Sequence, residues 1–152
     1  MAKFIYRMQN ILDIKYKLEE TEKQNFAAAL QRLRNEEEKL QHLVMRRDRY
    51  ASEYEQLLVG KLDFLKIEQC ANAIDFLNEK ITDQEQVIRN RSKELEQARQ
   101  KLNQVIQERK MHEKLKEKQF EQFLQELSMQ EIKEIDEVVS YQYGQGKTGT
   151  ED

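Results

Sequence analysis

The chain contains no proline and no tryptophan, only one cysteine, two histidines and four glycines. Three of those glycines fall at or beyond residue 144, so Gly60 is the only one in the first 143 residues. A chain without proline and with one internal glycine has almost nothing in it to interrupt a helix. The lone cysteine, Cys70, excludes an internal disulfide and suits a reducing compartment. Lys3 and Arg7 are not followed by an apolar run of signal-peptide length, and nothing approaches the roughly 20 apolar residues of a membrane span. The expected location is therefore the cytoplasm, with any membrane reached through a partner.

Apolar residues are also scarce. Of 152 residues, 38% are hydrophobic and 36% charged, where ordinary domains carry about a quarter charged. That balance does not fill a compact core; it suits elongated helices that each bury one narrow stripe. The net charge of −3 is small. It argues against a dedicated nucleic-acid binder, which shows a basic excess. The clusters Arg46-Arg47-Asp48-Arg49 and Arg109-Lys110 read as solvated or protein-binding faces.

What is present is helical periodicity. Phe4, Ile5, Met8, Ile11, Leu12 and Leu18 recur at helical spacing and suggest a helix packed on another helix. A helix lying on a membrane would want a basic polar face, which Asp13, Glu19 and Glu20 weaken. Between Leu18 and Phe26 the phase is poor, and a drift or stutter is expected there. Then Leu33, Leu40, Arg47 and Tyr54 hold one heptad position, and Glu36, Leu43, Tyr50 and Leu57 the other. Beyond Gly60, Ile67, Ile74, Ile81, Ile88, Leu95 and Leu102 recur every seventh residue. Cys70, Leu77, Gln84, Arg91, Ala98 and Val105 occupy the companion position. Gln84 interrupts this seam and can fix register; Arg91 can carry its charge out to water. Beyond Arg109 the heptad loses phase, although Met111, Leu115, Phe120 and the apolar residues after it still mark an amphipathic helix.

Gly60 is the expected bend, because glycine adopts left-handed backbone angles without strain. A single continuous helix is the rival, since an internal glycine costs only about 1 kcal/mol. The bend predicts an all-α fold of two long helices in an antiparallel coiled-coil hairpin. The first helix covers about 3–58 and the second about 64–140; 144–152 has the composition of a disordered tail. Leu62, Phe64 and Leu65 would cap the tip. Folding at Gly60 sets Leu40 near residue 82 and Met8 near residue 114. The second arm then overhangs the first by about 20 residues, or ~30 Å. Phe120, Phe123, Leu124, Leu127, Ile132 and Ile135 would lack a partner within the hairpin, and such a stripe marks an interaction surface.

The same geometry speaks against catalysis. It separates His42 from His112 by ~48 Å of helix, so the two share neither a metal nor a proton. No zinc-ligand set, phosphate loop or nucleophile elbow is present, and no cofactor or metal is expected. Cys70 reads as a small seam residue.

KFIYRMQNILDIKYKLEE (3–20), the bend at Gly60, the heptads after Cys70 and EIDEVVSYQY (134–143) together resemble the FliJ-type flagellar export proteins, over essentially the whole chain. The resemblance implies an antiparallel coiled coil similar to the central stalk of rotary ATPases, itself without hydrolytic activity. It implies partnership with the hexameric flagellar export ATPase, whose assembly and activity such proteins promote. It also implies contact with the cytoplasmic domain of the export-gate membrane protein, handling of export chaperones, and a place at the inner membrane of the flagellar base through those partners. Leu43, Tyr50 and Leu77 match by type the tip surface associated with the gate, but they also occupy seam positions, so core and partner roles both stay open. The termini resemble the stalk end that enters the ATPase ring, which would give the overhang its partner. A homodimeric coiled-coil rod is the alternative; the hairpin reading expects a monomer, with no nucleic acid bound.

Overall fold

The computed structural model describes the backbone of residues 2–148 and the side chains of 2–144. Among these residues the fold is all-α, with α1 (Gln9–Leu57) and α2 (Phe64–Thr148) as its helices. They pack as an antiparallel coiled-coil hairpin, as the heptads predict. The chain divides into two units, one of Leu18–Val105 and one of Met1–Lys17 with Ile106–Asp152. They are called here the tip unit and the terminal unit.

The tip unit turns at Gly60, whose φ of 83° lies in the left-handed region. The last turn of α1 tightens before it: the Leu58 amide donates to the Glu55 carbonyl at 3.3 Å and Val59 to Gln56 at 3.2 Å. Asp63 then opens α2 as its N-cap, its carboxylate accepting from the Lys66 amide at 3.4 Å. Leu62, Phe64 and Leu65 do not cap the tip. They project into solvent with Leu58 and Val59, Phe64 being 75% exposed, because the turn leaves no element beyond it to cover them.

The seam of the tip unit follows the heptads on both helices. Leu33, Cys70, Leu77 and Ile81 are its buried centre. No stutter occurs between Leu18 and Phe26. The positions turned inward there are Glu19, Glu22 and Phe26, which keep the three-four alternation, while Leu18 lies outside it. Two glutamates on the seam hide a regular heptad.

In the terminal unit α1 begins at Gln9, not near residue 3. Residues 2–6 are non-helical and lead into a turn in which the Gln9 amide donates to the Tyr6 carbonyl at 3.1 Å. The reason lies in the packing. Phe4 meets Phe120 and Phe123 with ring centroids 5.1 and 5.5 Å away, and Tyr6 is buried beneath Lys116. Side chains two residues apart point to opposite sides of a helix, so a helix could not turn both rings onto α2. At its other end α2 runs through Thr148 and does not stop near 140. Of the tail expected over 144–152, residues 149–152 lie outside the described residues.

Candidate partner surfaces

In the tip unit, Leu77 is 1% exposed and belongs to the core. Leu43 and Tyr50 are half-buried along the seam. Near them in sequence, Met45 and Phe76 face outward, as the apolar residues around the turn do. Phe76 is 55% exposed and carries the Lys80 ammonium 5.4 Å from its ring centroid. Sequence reasoning passed over both because it followed the heptad, and both stand off it. Their signal was a large apolar residue at a position where the pattern calls for a polar one.

Gln84 ties the two helices together. Its amide donates to the Glu36 backbone carbonyl at 2.9 Å and to the Glu36 carboxylate at 2.6 Å. That bond, assisted by Lys39 and Arg91, holds the Glu36 carboxyl below its ordinary value against the opposing effect of desolvation. Arg91 turns its guanidinium to the edge, 2.9 Å from Glu94. Cys70 is buried, and desolvation together with the charge of Glu53 raises its thiol above the ordinary value. It is an inert core thiol.

The terminal unit has a polar seam. Lys15 pairs with Glu108 at 2.8 Å, and Lys116 donates to Gln9 at 2.7 Å. Glu113 accepts from the Tyr16 hydroxyl and from Arg109 at 3.1 Å. Those two donors, Tyr16 first, hold its carboxyl below the ordinary value. The inward positions of α2 here are Arg109, His112, Lys116, Gln119 and Phe123. The heptad therefore does not lose its phase beyond Arg109; polar occupants conceal it. The Tyr6 hydroxyl and His112 Nδ1 are buried in this unit without a hydrogen bond.

The six residues expected to stand free on α2 separate into two groups. Phe120 and Phe123 have a partner, the Phe4 ring, supplied by the non-helical residues before α1. Leu127 is half-buried, and Leu124, Ile132 and Ile135 are exposed. Met129, Val138, Val139, Tyr141 and Tyr143 are exposed with them. Charge changes along the same helix. Residues 109–118 hold Arg109, Lys110, Lys114, Lys116 and Lys118 against Glu113 and Glu117. Residues 121–137 hold Glu121, Glu126, Glu131, Glu134, Asp136 and Glu137 against Lys133 alone. The far part of α2 is an apolar stripe with an acidic border.

No group of three or more His, Cys, Asp or Glu side chains able to hold a metal occurs among the described residues. No helix among them is long and apolar enough to cross a membrane.

The family model described as "Flagellar FliJ protein" matches residues 4–148. The chain belongs to the FliJ family. The match spans both helices and places the protein among those associated with flagellar export. The fold is similar to that of a solved chain described as a YscO homolog from Chlamydia trachomatis. The TM-score is 0.65 and the identity 22%, over 96% of this chain and 99% of that one. No curated protein gave a match.

Proposed function

We propose that this FliJ-family chain is a non-enzymatic stalk and adaptor of the flagellar type III export apparatus. Its terminal unit engages the hexameric export ATPase and promotes assembly and activity of the ring. An asymmetric two-helix stalk in a sixfold ring touches its subunits unequally, and so biases the ring's assembly and cycle. The tip unit engages the cytoplasmic domain of the export-gate protein, and export chaperones are handled by the same adaptor. These partners hold it at the inner membrane of the flagellar base.

The observation that carries this reading is the far part of α2, a helix whose Ile132, Ile135 and Val138 side chains all stand exposed. A surface of that kind suits insertion into an apolar sleeve. On the tip unit, Leu43 and Tyr50 supply the edge of the gate surface, and exposed Met45 and Phe76 extend it. Leu77 acts from beneath by setting the packing of α2.

The test is ATP hydrolysis by the export ATPase with the full chain and with Ile132→Ser/Ile135→Ser. The double variant is expected to keep its helicity and lose stimulation and co-purification. Unchanged stimulation would remove the far part of α2 from the ATPase contact.

A further inference from the structure

One flank of α2 forms a second stripe, distinct from the intramolecular seam. Met111, Leu115 and Lys118 begin it, Gln122, Gln125 and Met129 continue it, and Ile132, Asp136, Val139 and Tyr143 complete it, in alternating steps of four and three. Every one of these positions is exposed. Met111, Leu115, Lys114 and Lys118 line one groove of the terminal unit. At 100° per residue from buried Leu12, Ile11 and Ile14 of α1 fall on the same side, and both are exposed. The terminal unit thus presents a two-helix apolar platform with lysines along its edge. The far part of α2 presents an apolar stripe with acids along its edge.

We propose that the occupant of this platform is the far part of α2 from a second copy, in an antiparallel two-fold dimer. The stripe is self-complementary when reversed about a point near residue 127. Leu115 then meets the partner's Val139, and Met111 meets the partner's Tyr143. Lys118 meets the partner's Asp136, and the two-fold axis forms that ion pair twice. In the same register Gln122 and Gln125 lie opposite the partner's Ile132 and Met129, so the twice-formed Lys118–Asp136 pair is what fixes the register. A parallel arrangement would set lysine on lysine and acid on acid, which is unfavourable. The dimer covers Ile132, so on the reading of the far helix as the ATPase contact it is a closed form. That consequence rests on the functional proposal; the dimer itself does not.

Sedimentation equilibrium on the full chain tests it. The wild-type chain is expected to pass from its 18.4 kDa monomer to twice that mass as concentration rises. Lys118→Glu and Asp136→Lys should each weaken the dimer by roughly tenfold, and the two together should restore it. Both positions are exposed, so circular dichroism should be unaltered. A chain that stays monomeric at every soluble concentration overturns the proposal. So does a dimer insensitive to either change, or one that the double exchange fails to restore, as a parallel rod would. None of these outcomes depends on the ATPase.

Discussion

The Gln84 side-chain amide reaches across the seam to Glu36, donating to its backbone carbonyl at 2.9 Å and to its carboxylate at 2.6 Å. This is the one polar layer in an otherwise apolar run between Leu77 and Ile88 on α2, and it sets which residue of α1 lies opposite. A hairpin folded at Gly60 calls for residue 38 or 39 at that level; the contact falls on Glu36, within one turn.

Gln84→Leu is therefore expected to lower the unfolding midpoint even though leucine suits the seam, because the half-buried Glu36 carboxylate loses its donor from α2 and keeps only Lys39. Glu36→Leu/Gln84→Leu should recover the midpoint or exceed it. Thermal melts of the three variants check this. A Gln84→Leu variant as stable as wild type would mean that the layer carries no such constraint.

Two carboxyls bonded from one helix to the other give the hairpin a pH dependence. Glu36 and Glu113 both have folded values below their ordinary ones, through Gln84 and Tyr16 respectively. A group of this kind stabilises the fold fully above its unfolded value, and that stability is lost as pH falls through the folded value. The melting temperature should be level near neutrality and fall below about pH 4.3. The fall should be shallower in Glu36→Gln, whose amide does not titrate.

Gly60 has φ of 83° and open space where a side chain would begin. Gly60→Ala should meet no clash and still cost about 1 kcal/mol from the left-handed backbone alone. Urea unfolding measures it; a cost near zero would show that the turn relaxes.

Neighbouring residues on α2 separate core from surface. Leu77→Ala should cost about 2–5 kcal/mol by leaving a cavity at a fully buried site. Phe76→Ala should stay within about 0.5 kcal/mol. If Phe76 serves the gate, its change weakens that affinity without altering the melt. A large loss of stability in Phe76→Ala would move it into the core.

The hairpin was legible because Ile67, Ile74 and Ile81 mark the seam with residues that have no other use on a solvated helix. The parts that were hidden have physical causes. Periodicity is read from apolar residues, and Glu19, Glu22, Arg109, His112 and Lys116 hold seam positions with polar ones. Such side chains can line a two-helix seam because its edge is open to water, so long stems pack while charged ends pair outside. Phe4 and Ile5 fit a helical spacing with Met8, yet Phe4 and Tyr6 are both drawn onto α2, and only a non-helical segment satisfies both. The exposed apolar residues of α2 were visible as a periodic stripe. Which of them Phe4 would cover depended on that same departure from helix.

The central claim is that the far part of α2 is the working contact with the export ATPase. The direct measurement compares hydrolysis by that ATPase in the presence of the full chain and of a chain ending at Ser128. The shortened chain keeps the Phe4–Phe120 contact and should melt as the full chain does. Stimulation confined to the full chain is the expected result; equal stimulation by the shortened, folded chain would contradict the account.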